Sequence, residues 1–291
     1  MIKTNFHTHH YLCSHAIGET EDYVLEAIKN NYQQIGISDH GPLPIEPPFY
    51  RMSHYEFENI YLKDIEKNIK KYQDQIKIYK GLEIEYIYNY DEFYLKLLEK
   101  VDYLLLGLHY YSGDEKKIKS KSSYDVYNHE SLEEYTRLAI DAMNTGFFKI
   151  FAHPDIFMIS YPIFDSFAED CVLRIAEAAI HNNVVLEFNV AGIRKGINSY
   201  PFRENDYLTG NKQRGKKTEL SYSGYLIENS TKNEYVSCSI DDFSLACEGV
   251  FHLNLKMKKD GWEEEKSIKM YNVEMWTYIP MENPGFDGTA K

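Results

Sequence analysis

Residues 2–15 read IKTNFHTHHYLCSH, a short strand-like run ending at Phe6 and followed at once by His7, His9 and His10, with His15 a few places on. On an extended chain, positions i and i+2 face the same way, so His7 and His9 can approach one ion while Thr8 points elsewhere. His10 faces away from His9 and is expected to support the strand or pack against it. The same arrangement, an apolar β-type run ending in an ionisable residue, returns along the chain. Run 34–38 is followed by Asp39 and His40, run 76–85 ends with Glu83 and Glu85, run 103–108 is followed by His109, and run 149–152 by His153 in AHPD. A sixth run covers 184–188. Between these runs lie stretches of helical period at 21–30, 55–71, 91–98, 132–144 and 166–182. The last carries Phe167, Cys171, Ile175 and Ala178 at three- and four-residue spacing, with Asp165 placed to cap it. Strands alternating with helices predict a parallel α/β fold. In a barrel of that class the C-terminal strand ends converge on one mouth, where catalytic groups collect.

Size and charge narrow the function. The chain has 291 residues and a formal net charge of −13, which repels phosphate backbones and anionic lipid heads, so nucleic acid and membrane surfaces are poor partners. A small molecule is the better expectation, and the oligomeric state is left open. The 4 cysteines, at 13, 171, 238 and 247, show no CxxC spacing, which suits reduced thiols and a cytoplasmic protein. Neither a signal peptide nor an apolar window long enough for a membrane span is evident.

The texture changes after Arg203. A basic stretch, TGNKQRGKK at 209–217, leads into period-2 runs with no helical interludes: Val236/Cys238/Ile240, Phe251/Leu253/Leu255/Met257 and Val273/Met275/Thr277/Ile279. KKDGWEEE supplies an Asp-Gly turn signal between the second and third. The expected organisation is a parallel α/β unit over 1–205 followed by a β-rich antiparallel segment over 206–291.

Imidazole ligands suit zinc, iron, copper or manganese, and a carboxylate can bridge two ions while neutralising part of their charge. Two or three ions about 3.5 to 4 Å apart would polarise a phosphoryl oxygen and activate water near neutral pH, which favours a phosphoester hydrolase. Isolated histidines such as His54, His129 and His181 are expected to be surface or packing residues. Glu83 and Glu85 face the same way, and the pattern alone does not choose between them.

Taken together, HTHH..CSHA, SDH, GLEIEY, LHY and AHPD, in that order, resemble the polymerase and histidinol phosphatase (PHP) family, and in particular its histidinol-phosphatase branch. PPFYRMS at 47–53 and LEFNVAGIRKG…YP at 186–201 resemble that branch too. The resemblance implies a distorted (β/α)7 barrel, here incomplete at about six strands, with two or three divalent ions (Zn, Mn or Fe) at its mouth. It implies His7 and His9 on a first ion, Glu83 bridging to a second held by His109 and His153, and His15 with His40 on a third. It thereby selects Glu83 over Glu85 and puts Glu83, His9 and His153 closest to the chemistry. Arg194 in GIRKG, and less strongly Arg51 in RMS, match positions that would meet a substrate phosphate, a task suited to the planar guanidinium fork. The implied reaction is hydrolysis of L-histidinol phosphate in histidine biosynthesis. One departure stands out: the family's last barrel strand ends in an Asp-x-His element, and no such triplet follows residue 153. SIDDFS at 239–244 and His252 are chance similarities. The tail therefore reads as a replacement or as out-of-place sequence. The alternatives are a PHP phosphoesterase for another small ester and an inactive metal-binding or interaction protein.

Overall fold

Tyr103–Leu106 is buried at every position, as a parallel strand covered on both faces must be. In the computed structural model this segment is one of six parallel strands: β1 (Thr4–Asn5), β2 (Gln34–Ile37), β3 (Lys77–Ile84), β4 (Tyr103–Leu106), β5 (Phe148–Phe151) and β6 (Val185–Leu186). They lie side by side in chain order and form a curled half-barrel. The structure describes residues 4–14, 16–48, 50–161, 163–187 and 189, with the strand segments 220–224, 235–241, 250–259 and 262–271. No seventh parallel strand occurs among them.

The crossovers are helical. α1 (Thr20–Lys29) follows β1, and α2 (His54–Glu56) continues through a π-helical turn at Phe57–Tyr61 into α3 (Leu62–Tyr72) after β2. α4 (Asp91–Leu98), α5 (His129–Asn144) and α6 (Ser166–Asn182) complete the set. Asp165 caps α6 as expected, its carboxylate accepting the Ala168 N–H at 2.9 Å. α5 begins three residues ahead of the expected 132 because Asn128 and Ser131 cap it reciprocally, each side chain accepting the other's backbone N–H. No helix among the described residues is long and apolar enough to cross a membrane.

Alternation along the strands sorts side chains into two layers. Ile35, Ile37, Leu82, Ile84, Leu104 and Leu106 point outward into the core beneath the helices. Tyr103, Leu105 and Ala152 form a smaller cluster on the concave face, joined by Phe6, Tyr79 and Ile150. Gly81 pairs with Tyr103 and Glu83 with Leu105, so both stand on the concave face. The Tyr103 ring lies across Gly36 and Gly81, where an added Cβ would fall 1.9 Å from its hydroxyl oxygen and 2.3 Å from its Cζ respectively. Its hydroxyl donates to the Phe6 carbonyl at 2.6 Å, so one ring forms a floor from β4 to the end of β1.

The C-terminal segments form a second, antiparallel sheet in the order β10-β9-β8-β7, from β7 (Leu220–Gly224), β8 (Tyr235–Asp241), β9 (Val250–Lys259) and β10 (Trp262–Tyr271). Lys259 pairs with Trp262, which places the β9–β10 hairpin about the Asp-Gly signal; the dipeptide itself lies outside the described residues. The alternating run at 273–279 also lies outside them.

Gly81→Ala should destabilise the half-barrel by about 1–3 kcal/mol, because the Tyr103 ring is wedged between strands and has no free direction in which to yield. Urea unfolding followed by far-UV circular dichroism measures this, and an unchanged midpoint would contradict the floor described above.

Candidate metal centre

Each concave-side strand end contributes to one cluster. The rings of His7, His9, His40, His109 and His153 follow one another with centroids 4.9, 4.8, 5.0 and 5.0 Å apart, and His153 returns to His7 at 6.0 Å. The Glu83 carboxylate, 1% exposed, sits among them. Its two oxygens divide the ring. Oε2 lies 3.4 Å from His7 Nε2, 3.1 Å from His9 Nε2 and 3.1 Å from His40 Nδ1. Oε1 lies 2.9 Å from His153 Nε2 and 3.5 Å from His109 Nε2. Backbone pairing keeps this alignment: the Glu83 N–H donates to the Asp39 carbonyl at 3.0 Å, and Gly41 N–H donates to the Glu83 carbonyl at 2.9 Å.

The donor set fits divalent cations. His7 and His9 bring their Nε2 atoms to 2.9 Å, a separation at which two lone pairs repel unless a proton or a cation lies against them. With Glu83 they form a buried imidazole–imidazole–carboxylate trio, and His40, Glu83 and His109 form another. Nitrogen and carboxylate donors at this density suit zinc, iron or manganese.

A second tier of carboxylates fixes the imidazoles. Glu85 Oε1 lies 2.8 Å from His109 Nδ1, and its Oε2 accepts the His109 backbone N–H at 3.0 Å. Glu83 and Glu85 differ in their surroundings: Glu83 meets five imidazoles, whereas Glu85 grips one from behind. Asp39 Oδ1 accepts the His10 backbone N–H at 2.7 Å and lies 3.6 Å from His9 Nδ1, while its other oxygen pairs with the His10 ring. His10 is buried and supports this carboxylate, in keeping with its place on the far side of the strand.

Neighbouring charges push these groups in different directions. Burial alone would raise Glu83, yet the surrounding His40, His109 and His7 hold its carboxyl well below the usual range. Burial likewise opposes protonation of His7, but the charges of Glu187 and Glu83 overcome it and lift the ring well above its ordinary value. His40 goes the other way, pushed well down by burial and by the Arg51 charge.

Arg51 stands close to the cluster but is committed. Its Nη2 donates to Glu85 Oε1 at 3.2 Å and its Nη1 to the Tyr50 carbonyl at 3.0 Å. His15 and Arg194 lie outside the described residues. His54 and His129 are exposed or ring-stacked away from the cluster, as expected of surface histidines: His54 meets Phe93 and His129 stacks on Phe167.

Two contributors escape a reading confined to the first five strand ends. Glu187 follows β6 and its side chain is covered, with Oε1 2.7 Å from His7 Nδ1. It carries the same signal as the others, an ionisable residue at a strand's C-terminal end. Despite burial, His7 holds its carboxyl down at about 2. Gly107 is the other: a Cβ there would lie 2.4 Å from Glu83 Oε1 and 2.6 Å from its Cγ. Only a residue without a side chain lets the Glu83 carboxylate stand where it does, a tertiary constraint with no local mark.

The PHP domain matches residues 5–191. A probable phosphatase of Tolumonas auensis is 28% identical over 185 residues, covering 63% of this chain and 62% of that protein. A histidinol-phosphatase of Bacillus subtilis is 28% identical over 127 residues, covering 39% and 46%. The chain thus spans under two thirds of the length of these relatives. Among solved structures, a histidinol phosphate phosphatase of Lactococcus lactis complexed with Zn, L-histidinol and phosphate aligns with a TM-score of 0.52 at 19% identity, over 65% of this chain and 73% of the other. A candidate histidinol phosphatase of Listeria monocytogenes aligns with a TM-score of 0.55 at 19% identity, over 72% and 90%. At such identities these two likenesses speak to the fold alone.

Gly107→Ala should leave the protein folded by circular dichroism but at least tenfold weaker for Zn²⁺ in chelator competition, because the new methyl displaces the Glu83 carboxylate. Wild-type affinity in this variant would show that the carboxylate does not need its present position.

Proposed function

The chain belongs to the PHP family, and on that premise we propose that it is a metal-dependent phosphomonoester hydrolase whose substrate is L-histidinol phosphate. The observation that carries this reading is the partition of Glu83: one oxygen toward His7, His9 and His40, the other toward His109 and His153. A carboxylate so placed is suited to bridging two cations, one on each side. His7 and His9 would hold the first, His109 and His153 the second, and His40 with His15 a third, the ions being Zn, Mn or Fe. Bound there, the ions would supply Lewis acidity toward a phosphoryl oxygen and lower the pKa of water.

The chain's own residues do the rest. Glu83, His9 and His153 frame the reacting centre, with Glu83 keeping its negative charge against burial so that it can offset cationic charge. Arg194 would pair with the non-bridging phosphate oxygens through its planar fork. Arg51 would do so only by exchanging its contact with Glu85 for one with the substrate. A compact substrate suits the net charge of −13 better than a nucleic-acid end. The product, an amino alcohol freed of its phosphate, fits a step in histidine biosynthesis in the cytoplasm.

One sequence feature favours a second reading. With no Asp-x-His triplet after residue 153, the first cation would be left with Glu83 but without the family's Asp, and the third with His15 and His40 but without the family's additional His, which favours a slow enzyme or a protein that binds metal without turnover. Phosphate release from histidinol phosphate in added Zn²⁺ or Mn²⁺, alongside metal analysis of the same sample, separates the two. Release that falls at least a hundredfold in Glu83→Gln is the expected result. Bound metal without release from histidinol phosphate or other small phosphomonoesters would establish the inactive reading, and full activity in Glu83→Gln would place the centre elsewhere.

A further inference from the structure

Glu187 differs from the other carboxylates of the centre in reaching across the open side of the half-barrel. It follows β6, while the groups it holds follow β1 and β5. Its Oε1 meets His7 Nδ1 at 2.7 Å, and its Oε2 accepts the backbone N–H of His153 at 3.0 Å and the side-chain amide of Asn189 at 3.0 Å. The side chain is 5% exposed. Both oxygens are thus occupied by groups behind the imidazoles, which is the position of a support and not of a ligand.

Two further features give this placement a role. Glu85 does the same at the other end of the cluster, one oxygen on the His109 ring at Nδ1 and the other on a histidine backbone N–H. The device is therefore used twice, at the ends of β3 and β6. In addition, His153 has φ +34°, a left-handed backbone conformation that a side-chain-bearing residue adopts only when its surroundings hold it. The N–H of that strained residue is the one Glu187 accepts.

We propose that Glu187 is a positioning residue for the metal centre: it accepts the hydrogen bond of His7 Nδ1–H, which leaves Nε2 as the nitrogen available to a cation beside Glu83, and it pins the strained backbone of His153. The inference rests on the reading of the imidazole cluster as a metal centre. A carboxylate behind a ligating imidazole fixes its tautomer and ring orientation and raises its basicity, and losing one commonly costs ten- to a hundredfold in metal affinity. Glu187→Gln can still accept from Nδ1–H without the charge, whereas Glu187→Ala can do neither, so the two should differ in degree.

The test uses the full chain and two readouts that need no substrate. Zn²⁺ affinity is measured by chelator competition in the wild type, Glu187→Gln and Glu187→Ala. The His7 tautomer is read from ¹⁵N–¹H correlations of the imidazoles in the metal-free protein. Expected are a roughly tenfold loss of affinity in the Gln variant and a roughly hundredfold loss in the Ala variant. The Nδ1–H form of His7 should be present in the wild type and depleted in the Ala variant, both variants remaining folded by circular dichroism. Unchanged affinity together with an unchanged tautomer in a folded Ala variant would overturn the proposal. A variant that merely unfolds leaves the wild-type tautomer as arbiter, and a His7 protonated on Nε2 alone would overturn it. A wild type that binds Zn²⁺ but releases no phosphate removes the hydrolase reading while the affinity series still decides the role of Glu187. A wild type that binds no metal overturns both.

Discussion

A buried carboxylate without compensation costs several kcal/mol, and Glu83 is buried almost completely. The five imidazoles around it are the compensation, and they come from four places on the rim: two after β1, one after β2, one after β4 and one after β5. No single hairpin or helix could deliver them together. The parallel register does so because every strand ends on the same side, and the concave face leaves room because Gly36, Gly81 and Gly107 carry no side chain where Tyr103 and Glu83 need the space. The floor and the cluster thus depend on the same device, a glycine wherever a large side chain on the concave face needs the space.

Behind the imidazoles stand Glu85, Glu187 and Asp39, each at a strand end and each accepting a histidine backbone or ring N–H. Burial and the nearest charges together explain why chemically identical side chains diverge. His7, between Glu187 and Glu83, is driven toward protonation despite its burial, whereas His40 is driven away from it by burial and by the Arg51 charge. A cation replacing the shared protons would meet a field already arranged for positive charge on the His7 side.

Much of this was written in the sequence. Alternation of runs ordered the strands, period 2 put His7 beside His9 and Glu83 beside Glu85, and Asp165 announced the start of α6. What escaped was tertiary. Glu83 and Glu85 share a face, and only the depth of one among the rings separates them. Gly107 is an ordinary loop glycine until Glu83 approaches it. The start of α5 depends on the reciprocal Asn128 and Ser131 bonds, which apolar spacing does not register. Glu187 carries the same strand-end signal as the others, but it lies inside the apolar run 184–188, where position alone does not set its carboxylate apart.

The bond between His7 and Glu187 joins positions 180 residues apart in the chain. Closing so long a loop is entropically costly and is rewarded only after the intervening β-α units have stacked in order. On the ribosome, the opening histidines emerge first and wait for nearly two hundred residues before their last support exists. The centre is thus a late product of folding: a chain cut short of β6 would carry every imidazole of the described cluster and still lack the group that orients the first of them.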